Sequence, residues 1–125
     1  MHALVAEAMK KAAVVWIGVE VQPAYPVWCM PAGEALCVVT GGAEQPAPGM
    51  LPGATVRVSA RGDHGGRIVT WPARVSRVRP ESEQWAAVVP QLAAKRLNGP
   101  SARDLVGLWA RTAVVSRLNP TEPPG

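Results

Sequence analysis

Apolar residues along this chain recur with two periods, and the change from one to the other divides it into regions. Ala3–Lys11 places Leu4, Ala8 and Lys11 on one helical row with Val5, Ala8 and Met9 beside it, which predicts a short amphipathic helix. Ala13–Glu20, AVVWIGVE, is then rich in Val, Ile and Trp and predicts a strand, with Gly18 marking a bulge or a close approach. Tyr25–Met30 predicts a second strand, which its Pro26 assigns to a strand start or a sheet edge because proline donates nothing to a ladder. The turn Pro31–Glu34 leads into a third strand, Ala35–Thr40. Alternation resumes over Ala54–Ala60, and the Gly-rich Arg61–Gly66 predicts a hairpin into the long Arg67–Val78, where Trp71-Pro72 suggests a bulge or an edge.

At Pro80 the period becomes helical. Trp85, Val88, Val89, Leu92, Ala93 and Leu97 follow the first-turn acids Glu81 and Glu83, with Pro90 inside the run, up to a stop at Asn98-Gly99-Pro100. Ser101 is placed to cap another helix with Asp104 at its third position and Leu105, Leu108 and Trp109 as its apolar row. Thr112–Leu118 predicts a last strand returning to the sheet, and residues 119–125 a flexible tail. The order is one helix, about five strands, two helices and one strand. A meander of this kind leaves edges that barrel closure removes, so the expected fold is a mainly β, α+β domain over residues 1–118: a small split β-barrel of about six antiparallel strands with short flanking helices.

A length of 125 residues suits one domain, and 13 prolines with 12 glycines fit short elements joined by many turns. The net charge of +4 is unevenly distributed, because Arg57, Arg61, Arg67, Arg74, Arg77 and Arg79 supply six of the 13 cations within one stretch. Such a face suits a phosphate-bearing ligand or nucleic acid, or else is solvated surface; nucleic acid stays a third reading, with the charge but without interleaved exposed aromatics or a recognised motif. The Arg-Gly-Asp tripeptide at 61–63 is explained by turn formation, and no stretch approaches a membrane span or a cleavable leader, so a cytoplasmic location is the expectation. A four-residue turn at 31–34 sets Cys29 opposite Leu36 and Trp28 opposite Cys37, pointing the two thiols to opposite faces and leaving both free. No metal site is suggested. His64, in the Gly-rich hairpin, has nothing to orient it as a base.

The chemistry-bearing stretch is Leu36–Val58, where a strand breaks into a Gly/Pro-rich loop. Thr40, Gly41 and Gly42 offer a hydroxyl and two backbone N–H groups to an anion, or simply end a strand in a tight turn. Glu44 and Gln45 either orient a ligand or anchor the loop. Arg57 and Arg61, on one face of the fourth strand, either neutralise a phosphate, across a dimer if need be, or meet solvent. Tyr25 and Trp28 are placed to stack on a ring or to pack, while Trp16, Trp71, Trp85 and Trp109 are assigned to core or interface.

In pattern and order the chain resembles the flavin-binding split-barrel proteins related to pyridoxamine 5′-phosphate oxidase, particularly their small actinobacterial members. The resemblance lies in VVWIGVEVQPAYPVWCMPAGEALCVVTGG, in GATVRVSAR with RIVTWPARVSRV, and in a helix opening PESEQW, from about Ala12 to Leu118. It implies a homodimer with flavin mononucleotide (FMN) or a deazaflavin at the subunit interface and hydride transfer through that cofactor, its substrate and catalytic residues unspecified. The family's Ser/Thr with Arg/Lys in the phosphate loop is replaced here by Gly-Gly-Ala-Glu-Gln-Pro-Ala-Pro, and an acid at Glu44 repels a phosphate unless it pairs elsewhere. The alternative is a non-catalytic module of the same fold that holds a small ligand or cofactor.

Overall fold

The computed structural model describes residues 3–20, 23–42, 44–61, 68–96 and 102–121. Residues 62–67, with the Gly-Asp of the tripeptide, His64 and Arg67, the helix stop at Leu97–Pro100, the Ser101 cap and residues 122–125 lie outside the described residues. Helix α1 (Ala3–Lys11) precedes six strands: β1 (Val14–Gly18), β2 (Tyr25–Trp28), β3 (Met30–Ala32), β4 (Ala35–Thr40), β5 (Thr55–Arg61) and β6 (Ile68–Val78). Helices α2 (Glu83–Arg96) and α3 (Ala102–Thr112) and the last strand, β7 (Val114–Pro120), complete the chain. All pairings between strands are antiparallel, in the spatial order β2-β1-β5-β6-β7-β4-β3.

The two ends of that order, β2 and β3, are consecutive in the chain with only Cys29 between them. One extended segment therefore pairs with β1 through its first half and with β4 through its second, and the sheet curls into a nearly closed barrel. The expected split barrel is thus observed, with seven strands because the predicted second strand divides at Cys29. The Cys29 N–H still donates to the Ala13 carbonyl at 2.9 Å, holding the crossover to β1. Pro26 and Pro31 both lie on these terminal strands, where a missing N–H costs no ladder bond.

Side-chain alternation divides the core into an inside and an outside layer. Val15, Ile17, Val27, Cys29, Leu36, Val38, Val56, Val58, Trp71, Ala73, Val75 and Leu118 fill the barrel, with Val5, Ala8 and Met9 of α1 and Met50 of the β4–β5 loop packed into the same cluster. The opposite face of β4, β6 and β7 contributes Cys37, Val39, Val78 and Val115 to a second layer beneath Trp85, Val89, Leu92 and Ala93 of α2 and Trp109 of α3. This is why β4 reads as an unbroken apolar run: all six of its residues are buried, one face by the barrel and one by the helices. The serine before α2 starts it, since the Ser82 hydroxyl accepts the Trp85 N–H at 3.1 Å.

Several local expectations change. The β3–β4 hairpin turns on Gly33 and Glu34 alone, pairing Ala32 with Ala35 and Met30 with Cys37, so the register differs by two residues from the four-residue turn expected. Because a shift of two preserves the pleat, the thiols still face opposite layers, Cys29 inside the barrel and Cys37 under the helices, and both are free. Trp71-Pro72 makes no bulge in the continuous β5–β6 ladder; it lies just before β7 joins β6, where the Pro72 carbonyl accepts the Thr121 N–H at 2.9 Å. On α3, Leu108 is exposed and the inward row is Leu105, Val106 and Trp109. The last strand extends two residues past Leu118, where the Asn119 amide donates to the Arg74 carbonyl at 3.0 Å and to Ser76 Oγ at 2.9 Å.

Candidate functional site

The loop after β4 is built around Gln45. Its Oε1 accepts the Trp28 N–H at 2.9 Å, while its Nε2 donates to the Trp28 and Val39 carbonyls, both at 3.1 Å. Trp28 is the last residue of β2 and Val39 lies on β4, so this one amide spans the gap between β2 and β4 where no backbone ladder forms. All its donors and its acceptor oxygen are engaged within the protein.

Glu44 is held as firmly. Its Oε2 accepts the Trp109 indole N–H at 3.2 Å, its Oε1 pairs with Arg96 at 3.7 Å, and its side chain is only 10% exposed. The acid that seemed to face a phosphate is instead turned toward α2 and α3. Trp109 in turn lies against Trp28, with ring centroids 6.2 Å apart and planes inclined by 38°. Tyr25, inward on β2, donates its hydroxyl to the Pro48 carbonyl at 2.9 Å, and burial pushes that phenol above its usual pKa.

Thr40 is buried on the inward face of β4. The Gly41 N–H donates to the Gln45 carbonyl at 3.0 Å, and the Gly41 carbonyl accepts the Glu44 N–H at 2.8 Å. Gly42 has φ +57°, and a Cβ there would lie 2.5 Å from the Thr112 carbonyl oxygen. That close approach to the end of α3 requires glycine. Tyr25, Trp28, Thr40, Gly41, Gly42, Glu44 and Gln45 thus do converge on one loop, and most of their polar groups are spent on closing the barrel and docking the helices.

Arg57 and Arg61 belong to a different surface, the outward face of β1, β5 and β6, which no helix covers among the described residues. Arg57 is paired with Gly18, and its guanidinium lies where a Cβ of Gly18 would be, with Nη2 only 2.9 Å from that position. The next outward position on β1 is Trp16, 50% exposed. Around it stand Val14 and Ile68, 51% and 64% exposed, and the Ser59 and Thr70 hydroxyls, 2.9 Å apart. Arg74 shares this face, whereas Arg77 pairs with Ser116 in register and reaches its hydroxyl at 3.5 Å.

Trp16 is the residue the sequence undersold. The run VVWIG is apolar on both faces, so alternation alone does not show which side meets water; the signal was its pairing partner strand, whose outward positions are Arg57, Ser59 and Arg61. The two thiols offer no nucleophile, because burial pushes Cys29 up to about 12 and Cys37 up to about 11. Among the described residues no group of three or more His, Cys, Asp or Glu is arranged to hold a metal ion, and no helix is long and apolar enough to cross a membrane.

Compared with known proteins, the chain matches no protein-family model and no curated protein sequence. Among solved structures it is similar to HutZ, the heme storage protein from Vibrio cholerae, with a TM-score of 0.67 over 92% of this chain and 86% of that one. At 18% identity the likeness is one of fold.

Proposed function

We propose that the protein is a cofactor-binding split-barrel module that works as a homodimer and holds a flat anionic heterocycle of the FMN or deazaflavin class against the outer face of β1 and β5. The observation that carries this reading is the guanidinium of Arg57 laid over Gly18 beside the half-exposed Trp16 indole. An indole face offers a stacking surface, and Arg57 with Arg61 offers charge for a phosphate. The apolar Val14 and Ile68 on the same surface suit burial against a second copy, which would place the ligand at the margin of the interface. The HutZ likeness supports the reading to the extent that a protein of this fold is described as storing heme, another flat ring system. The loop residues Glu44 and Gln45 act in it as supports.

In this reading the protein supplies binding and orientation, and any hydride transfer is the cofactor's own chemistry. Turnover as a flavin- or deazaflavin-dependent oxidoreductase is the second reading, favoured by the resemblance in strand pattern. Visible absorbance of the desalted protein after incubation with FMN, and separately with a deazaflavin, tests the first. Retained absorbance that is lost in Trp16→Ala and Arg57→Ala is expected, together with a dimeric mass by light scattering. A colourless protein with both cofactors, or a monomer, overturns it.

A further inference from the structure

A second surface, remote in sequence from the loop, is built around Arg117. This residue is central in β7, opposite Cys37 in the β4 ladder, and its side chain runs outward beneath the β3–β4 turn, with Nη2 3.8 Å from where a Cβ of Gly33 would be. Its Nε is shut off from solvent and has no hydrogen-bond partner, and among the described residues no carboxylate pairs with it. A buried Nε–H left without an acceptor is costly, and the facing Cys37 thiol, pushed up to about 11 by burial, stays neutral and supplies no counter-charge.

The guanidinium borders a groove of about 380 Å³ between the β3–β4 hairpin and α2. Met30, Pro31, Ala32 and Val88 make one wall apolar, and Gln84 and Gln91 add neutral amides. Among the described residues that line it, the groove carries one cation, no acid and an apolar strip, and its volume is within the size range of small-molecule sites.

We propose that this groove binds a small organic carboxylate with a short apolar body, the carboxylate taken by the terminal Nη groups of Arg117 and the body laid along Met30, Ala32 and Val88. The two Nη groups of a planar guanidinium match a carboxylate in two parallel bonds, and the apolar strip, which offers nothing to the remaining oxygens of a phosphate, selects an organic acid. The site is independent of the Trp16 surface, which lies on strands outside this groove.

Hexanoate is the probe, titrated into the ¹⁵N-labelled protein while the arginine Nε–H and backbone amide signals are followed. Saturable shifts at Arg117 Nε–H and in Met30–Gly33 are expected, with hexanol, of the same body and no charge, leaving them unmoved. Arg117→Met should weaken hexanoate about tenfold or more and should melt at or above the parent temperature, since it removes the unpartnered buried Nε–H. Gln91→Glu, on the exposed side of α2, should keep the fold and also weaken hexanoate, by giving the guanidinium an internal partner. Non-saturable shifts, shifts spread over other arginines, unchanged affinity in both variants, or inorganic phosphate displacing hexanoate at equal concentration would each overturn the proposal.

Discussion

Replacing Gln45 by alanine removes the side chain that joins β2 to β4. Three hydrogen bonds are lost, one to the Trp28 N–H and two from Nε2 to the Trp28 and Val39 carbonyls. A part-buried bond contributes about 1 kcal/mol net, and an orphaned buried group costs roughly 1–3 kcal/mol. Val39 is fully buried, so its carbonyl has little access to replacement water. The expected loss is about 3 kcal/mol, a fall in Tm on the order of 10 °C for a domain of this size. Urea melts give the first quantity, and faster hydrogen exchange at the Trp28 amide locates it. Gln45→Glu sharpens the test, because an ionised carboxylate keeps the Trp28 N–H bond but faces two carbonyl oxygens with no proton to offer. Its folded pKa must then be raised above the unfolded value. The folded state then binds the extra proton, so this variant regains stability as pH falls through the raised value and loses it as pH rises. A cost below about 0.5 kcal/mol for Gln45→Ala, within the range of an ordinary surface substitution, would refute the strut and return Gln45 to the list of ligand contacts.

Glu44→Ala should cost roughly 1–3 kcal/mol by orphaning the buried Trp109 indole N–H, whereas Glu44→Gln, which keeps an acceptor, should cost less than half as much; denaturant melts followed by tryptophan fluorescence distinguish them. Gly42→Ala should destabilise by more than Gly41→Ala, because both have positive φ but only Gly42 has the Thr112 carbonyl within 4 Å of an added Cβ; equal losses would show that dihedral strain alone operates. Both thiols should resist alkylation at neutral pH until the protein is unfolded, as read by mass spectrometry. Their raised values also set an alkaline limit: the neutral folded thiols favour folding below the ordinary 9.0, and that contribution is lost as pH rises from there toward about 11 for Cys37 and 12 for Cys29.

Much of the barrel was legible because strand alternation and helical spacing are local properties. Val15 and Ile17 against Val14 and Trp16, the all-apolar ALCVVT, and the 85, 89, 92, 93 spacing of α2 each state their own period, and the order of those periods fixed the number and kind of layers. The opposite facing of Cys29 and Cys37 was also determined by sequence, since pleat parity survives a two-residue error in register. Other features depended on partners far along the chain. That β2 and β3 are halves of one strand follows from β4 and β1 arriving on opposite ends of the sheet. That Gln45 reaches Trp28 17 residues away, and Glu44 reaches Trp109 65 residues away, follows from how the layers pack. A polar side chain in a Pro-rich loop carries the same local signature whether it faces a ligand or another strand, and only tertiary packing decides which. The same holds in reverse for Trp16, half-exposed, and Arg117, whose buried Nε has no partner: among the described residues no element is placed to cover the first or neutralise the second.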